Sequence, residues 1–376
     1  MTWRSVTATP EWRAAMESES RESDSWIEMI DAYDQQVVIV PADAATVSVD
    51  GASTENRKIE FDVTEALIPL LSSDPLDPRA NLRIRAWWRE NLSTGWADVL
   101  LGTWYPVDPL LTDNGIVTTK MTGRDALWEA KRGGYRGQSI KIGGKTCDDA
   151  LRRLFDVVAP TISVTVASTD EKLPAKYTLG ARKPEEDWAE IAGIAGFVVW
   201  ADREGGIQIG PEPASSHAVA SWSDGSRCSI ETAERELRTS DMRNRIVVVS
   251  THPKVKKPIV GIAEDTDEGS PTYIGLGRIW EERIESDTVT TVTAARKLAN
   301  VELSKRLRPI DYAKVTIPGR PDVDPGDLCL INRARSGFAG DYRAESWSLP
   351  LPRAGVDPEK MQIAMKARPR IADVEE

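Results

Sequence analysis

The chain has 376 residues with 48 Lys and Arg against 59 Asp and Glu, a formal charge of −11, so affinity for a nucleic-acid backbone or an anionic bilayer is disfavoured. That length supports about two to three domains, each with its own core. Three well-separated cysteines, Cys147, Cys228 and Cys329, exclude a disulfide-stapled scaffold and a cysteine metal site; they read as buried small apolar residues.

The N-terminus has no apolar leader and no stretch reaches the ~18 apolar residues of a spanning helix, so the expectation is synthesis and folding in a reducing cytoplasm, without membrane insertion. Thr9 and Pro10 open a short helix through Met16, an arm-like element. From Trp26 the apolar period changes to two. Segments Trp26 to Tyr33, Gln36 to Val40, Thr46 to Val49, Lys58 to Val63, Leu82 to Trp88, Trp96 to Trp104 and Gly115 to Met121 read as successive strands. About seven strands in roughly 100 residues imply a sandwich or barrel.

At Asp125 the pattern becomes helical. Asp125 caps Ala126 to Lys131, Gly133-Gly134 stops it, and a second helix runs from Cys147 to Val158 behind Thr146. A third helix follows Pro184 with Trp188, Ile191 and Ala195 on one face, then a hairpin pairs Phe197 to Trp200 with Ile207 to Ile209 across the turn Asp202 to Gly206. Residues 125–213 thus form a small α+β domain between an N-terminal block, 1–124, and a C-terminal block, 214–376. The last block opens on Arg245 to Val249, carries a helix at about 293–307 and closes on strands between Tyr312 and Arg368.

The two ends echo each other. Asp77-Pro78-Arg79-Ala80-Asn81-Leu82-Arg83-Ile84 and Asp324-Pro325-Gly326-Asp327-Leu328-Cys329-Leu330-Ile331 each launch an apolar strand. Each is followed by a hairpin ending in Trp and Pro, Trp104-Tyr105-Pro106 and Trp347-Ser348-Leu349-Pro350, and then by a closing strand, Val117 to Arg124 and Lys360 to Arg368. The pattern predicts two copies of one antiparallel β-unit.

Little in the sequence points to catalysis. His217 and His252 read as loop histidines, which leaves a histidine-centred triad or zinc site without material. Gly143-Gly144-Lys145-Thr146 lacks the first glycine of a phosphate loop and reads as a glycine turn into a helix, Asp265 to Gly269 lacks the bidentate Glu of a calcium loop and reads as a solvated loop, and Gly275-Leu276-Gly277 lacks the third glycine of a dinucleotide fingerprint and reads as a turn or bulge. No cofactor, metal or catalytic residue is expected. Thirteen tryptophans against four phenylalanines point instead to core or subunit-interface positions, Trp87, Trp88, Trp96, Trp104 and Trp347, with sugar stacking as the lesser reading.

The order of elements, Met121-Thr122-Gly123-Arg124-Asp125-Ala126-Leu127, then Asp149-Ala150-Leu151-Arg152-Arg153-Leu154, then Trp188 to Ala192 leading to Phe197-Val198-Val199-Trp200-Ala201-Asp202 and Gly206-Ile207-Gln208-Ile209, resembles the minor tail proteins of long-tailed actinobacterial phages. Asp267-Glu268-Gly269-Ser270-Pro271-Thr272 and Pro325-Gly326-Asp327 fit the same group, which is similar to tail hub and baseplate hub proteins. The resemblance implies a mainly β fold with an α+β insertion, in which two tube-like antiparallel β-barrel domains flank a small α+β domain. It also implies a homotrimer at the virion tail tip that joins a six-fold tail tube or distal tail ring to three-fold fibre and tip proteins. The C-terminus of the tape-measure protein would be a further partner, and phage DNA would pass through without specific binding. Rival readings are a hexameric distal tail ring protein and a cell-wall-degrading or glycan-binding tail component.

Overall fold

The computed structural model describes residues 9–18, 21–41, 44–53, 55–64, 81–135, 137, 139–212, 217–223, 230–251, 258–270, 272–286, 289, 291–307, 310–333, 338–352 and 360–367. The protein is mainly β, with antiparallel pairing dominant and strand outweighing helix 49% to 17%. Residues 1–234 and 314–376 form one compact unit and Arg235–Ala313 a second.

In the first unit, helix α1 (Pro10–Met16) is capped by Thr9, whose Oγ1 accepts from the Trp12 amide at 3.2 Å. It buries Trp12 and Met16, so it packs rather than trailing as an arm. Seven strands follow: β1 (Ser23–Ile30), β2 (Gln36–Val40), β3 (Ala44–Asp50), β4 (Arg57–Val63), β5 (Arg83–Leu92), β6 (Gly95–Asp113) and β7 (Val117–Arg124). Their alternation is the reason they form a sheet: in β4, Ile59, Phe61 and Val63 are buried while Lys58, Glu60 and Asp62 face outward.

The α+β part comprises α2 (Ala126–Gly133), β8 (Ile140–Lys141), α3 (Cys147–Val158), β9 (Val164–Val166), β10 (Thr178–Leu179), α4 (Pro184–Ala195), β11 (Val198–Ala201) and β12 (Ile207–Gly210). Its core packs Leu127, Leu151, Leu154, Trp188, Ile191 and Ile207, with Phe155 stacked on Trp188 at 5.2 Å. Asp125 caps α2 as its sequence suggests, whereas Thr146 makes no side-chain cap to α3. The Gly143-Gly144 amides are already committed, because they donate to the carbonyls of Tyr177 and Leu173 in the segment before β10.

Beyond it run β13 (Ala218–Ser223) and β14 (Thr232–Arg238). The second unit holds β15 (Arg245–Ser250), antiparallel to β16 (Val260–Glu264) and parallel to β17 (Glu281–Ser286), with helix α5 (Val292–Arg306) packed on one face through Ala295, Ala299 and Leu303. A β-carbon at Gly261 would meet the α5 backbone at 2.3 Å, so glycine is what permits that close approach. The chain then continues through β18 (Ile310–Pro318), β19 (Leu328–Arg333), β20 (Phe338–Pro350) and β21 (Lys360–Ala367).

Thirteen strands share one sheet, ordered β14-β18-β21-β20-β3-β4-β7-β6-β5-β1-β2, with β19 branching from β20 and β13 pairing with β19. Two runs within it have the same order, β3-β4-β7-β6-β5 and β14-β18-β21-β20-β19. In both, the middle strand of the terminal meander, β6 or β20, is long and carries a register shift. The bulge in β6 holds Asp108 at φ 42. Asp324-Pro325 stands before β19 as the echo requires; its counterpart Asp77-Pro78 lies outside the described residues.

The runs are not separate bodies. β20 pairs with β3 from Ser346 opposite Asp50 to Pro350 opposite Thr46, and the strand path stays open, so no closed barrel is formed among the described residues. Trp104 on β6 is fully buried, and it fits because β-carbons at Gly102 and Gly123 would stand 2.5 and 2.8 Å from it. Trp104→Ala should cost about 3–5 kcal/mol in urea unfolding of the full chain, whereas an unchanged midpoint would show that the ring is not a core member.

Candidate functional site

Arg57 opens β4, Arg203 sits in the turn between β11 and β12, and Asp324 lies in the loop before β19; the fold brings these three remote side chains together in the interior. Arg57 Nη2 donates to Asp324 Oδ1 at 2.8 Å, while Arg203 donates to Oδ2 from Nη2 at 2.8 Å and from Nε at 3.1 Å. All three side chains are about 1% exposed. The remaining guanidinium nitrogens also find acceptors: Arg57 donates to the carbonyls of Ala201 and Leu101, and Arg203 to those of Leu100 and Pro321. Two buried cations on one carboxylate are tolerable only with such complete hydrogen bonding.

The Asp324-Pro325-Gly326-Asp327 turn aims the carboxylate. Gly326 adopts φ 86, and Asp327 Oδ2 accepts from the Asp324 amide at 2.9 Å. Close by in sequence, Arg320 and Asp322 form a second buried pair at 2.8 and 2.9 Å; burial pushes the Asp322 carboxyl up, but Arg320 outweighs it and holds the group below its usual range. From the other side, the Arg57 amide donates to Asp125 Oδ2 at 2.8 Å while Oδ1 caps α2. Burial pushes Asp125 up to about 6 despite those three amides and the Arg57 charge. The sequence offered the turn and the cap as signals; nothing local marked Arg57 and Arg203 as their partners.

The five tryptophans singled out by sequence divide into two groups. Trp88, Trp104 and Trp347 are buried in the chain's own core, which removes them from the reach of another molecule. Trp88 donates Nε1–H to Glu90, a fully buried carboxylate that also accepts from Ser23 and from Arg21. Trp87 and Trp96 lie instead on the outer face of β1, β5 and β6. Trp87 stacks on Trp26 at 5.7 Å and 8°, and donates to Glu28 Oε1 at 2.9 Å. The Arg89 guanidinium lies 4.7 Å from the Trp26 ring and 6.0 Å from Trp96, held there by Asp98 at 2.7 Å.

Tryptophan and arginine in such an arrangement are the residue types that dominate protein interfaces. Leu110 and Ile116, about 60% exposed on the arm where β6 runs into β7, extend the outward apolar surface of this unit. Trp26 was missed by the sequence reading because its partner Trp87 lies some sixty residues away, although their cross-strand register is direct.

Among the described residues no group of His, Cys, Asp and Glu could hold a metal ion, and no helix is long and apolar enough to cross a membrane. His217 is exposed and Cys147 and Cys329 are buried thiols, while His252 and Cys228 lie outside the described residues. The Asp265 turn spends its carboxylate on Ser270 and Thr272 hydroxyls, at 2.6 and 2.5 Å.

Two measurements test the junction. Asp324→Asn leaves two buried guanidiniums short of a counter-charge and should cost about 3–5 kcal/mol in chemical denaturation, against less than about 1 kcal/mol for Asp98→Asn at the exposed Arg89 pair. For Asp125, the unfolded carboxyl titrates near 3.8 and the folded one near 6. Between those values the folded chain holds the extra proton. Its contribution to stability is therefore full below pH 4 and falls by about 3 kcal/mol as pH rises to 6, then levels. Asp125→Asn should remove that slope, read as the difference between the two stability–pH curves.

The sequence matches no protein-family model and no curated protein. Its fold is nevertheless shared with solved tail proteins. Similarity to the tail protein from Neisseria meningitidis MC58 gives a TM-score of 0.64 at 14% identity, over 91% of this chain and 96% of that one. The 43 kDa tail protein of prophage MuSo2 from Shewanella oneidensis gives 0.61 at 14% identity, over 92% and 98%. Prophage tail protein gp18 from Listeria monocytogenes EGD-e gives 0.53 at 11% identity, over 93% and 96%. At these identities the likeness is one of architecture, and it spans nearly the whole of each chain.

Proposed function

We propose that the chain is a structural, non-enzymatic hub protein of a phage tail tip, of the kind its sequence resembles in actinobacterial long-tailed phages, and that it acts as a homotrimer. The observation that carries this reading is the repeated five-strand order within one chain, β3-β4-β7-β6-β5 and β14-β18-β21-β20-β19. Three chains with two equivalent modules each offer six similar docking positions to a six-fold tail tube or distal tail ring, and a three-fold face to fibre and tip proteins. A hexameric ring protein would need only one such run per chain.

The likeness of fold to tail proteins over more than nine-tenths of the chain supports the same reading. An open sheet suits it as well. On this proposal the two tube-like barrels belong to the assembled ring, whose neighbouring chains complete what each single chain leaves unclosed. The tape-measure C-terminus would meet the ring from above, and the net charge of −11 would let phage DNA pass without adhering. Location at the virion tail tip follows, after synthesis in the host cytoplasm.

Native mass spectrometry of the purified chain, alone and mixed with its tail-ring partner, should give complexes containing three copies. Six copies per complex would favour the distal ring reading, and a monomer in both samples would overturn the hub.

A further inference from the structure

Beside α1, strands β5 and β6 line an open cavity of about 590 Å³, walled by Trp12, Trp87, Leu92, Val99 and Leu100. Trp12 is 3% exposed, yet its indole Nε1–H has no acceptor among the described residues. Arg85 lines the same cavity and its Nε–H is likewise buried and unpaired, although its Nη2 is held by Asp34 at 2.7 Å. Two buried donors without acceptors at one largely apolar cavity suit an occupant that brings both apolar bulk and an acceptor oxygen.

The rim narrows the choice. Asp98 and Glu204 border the cavity; Asp98 is engaged by Arg89, and Glu204 is exposed with no ion-pair partner among the described residues. Glu204, the lining carboxylate without a paired cation, favours a positive charge at the mouth, and the unpaired donors favour a neutral carbonyl beside it. A peptide carbonyl, a large apolar side chain and an adjacent lysine or arginine meet all three conditions in a few residues of chain. We propose that this cavity is a docking site for an extended, basic and apolar polypeptide segment of another protein, whose backbone oxygen accepts from Trp12 and whose cationic residue pairs with Glu204. The inference is independent of the oligomeric state.

A phage-displayed library of random twelve-residue peptides, selected on the immobilised full chain, supplies the probe. Enriched sequences should pair an aromatic or long aliphatic residue with Lys or Arg, and their synthetic, fluorescently labelled forms should bind in anisotropy titrations. Glu204→Lys, on an exposed position that leaves the melting temperature unchanged, and Trp12→Phe, which removes the donor and keeps an aromatic ring, should each weaken binding by about five-fold or more. Ala97→Trp, from the half-buried strand position lining the cavity, should abolish it. Failure to enrich any peptide, which would indicate water alone in the cavity, overturns the proposal. So does binding that all three variants leave unaltered.

Discussion

Asp324 carries the constraint on which the arrangement of the first unit depends. Its carboxylate answers one guanidinium from the start of β4 and another from the β11–β12 turn, so a single buried group ties the first strand run, the α+β part and the second run. Taking three charges out of water can cost as much as their attraction returns, and such a cluster penalises every arrangement that leaves a partner unmet. Here the penalty is steep because the guanidinium hydrogens are also committed to carbonyls of Leu100, Leu101, Ala201 and Pro321. A slip in the pairing of β6 would move two of those acceptors at once.

Apolar packing around the junction repeats the same logic with shape in place of charge. Trp104 occupies space left by Gly102 and Gly123, and the Trp88 ring occupies space left by Gly319, where a β-carbon would come within 2.4 Å of it. Gly319 belongs to the connection between β18 and β19, so Trp88 joins the two runs much as Asp324 does. Large rings set against glycines are intolerant of sliding, whereas a layer of interchangeable aliphatic residues would permit it. The rings that do this are buried, and that is why only Trp87 and Trp96 of the five singled out remain available to another molecule.

What the sequence made legible was local. Helix α3 begins and ends where the apolar stripe from Cys147 to Val158 places it, and Asp125 caps α2, because both depend on residues within one or two turns. The strands of the meanders were legible from alternation, and Trp104 and Trp347 do lie on corresponding strands, but β6 runs on past Trp104-Tyr105-Pro106 to Asp113 instead of ending there. Illegible were the facts fixed by distant pairing: that β3 joins β20 into one sheet, that residues 235–313 form a unit of their own between β14 and β18, and that Arg57 and Arg203 share one carboxylate. Alternation also assigns faces without saying which face is inside. In Arg83 to Glu90 it places Trp88 and Glu90 together and Trp87 opposite; only the buried Arg21 and Ser23 that satisfy Glu90 explain how the side bearing a carboxylate became the interior.

The ends of the sheet are unlike one another, and this asymmetry bears on assembly. β14 is Thr-Ala-Glu-Arg-Glu-Leu-Arg, a strand whose alternating charges discourage further pairing, whereas β2 at the other end is Gln-Val-Val-Ile-Val with no charge and with Ile39 about half exposed. Proteins that exist as solitary monomers commonly blunt both ends of an open sheet with charge, proline or a covering element. A sheet blunted at one end alone is economical only if its other end is regularly occupied. On the proposed assembly, charge on β14 would select register and partner, since a neighbour that paired there wrongly would bury carboxylates or guanidiniums without counter-ions. The same interplay that fixes the interior through Asp324, in which an ion is acceptable only where its partner is present, would thus extend from the folding of one chain to the association of several.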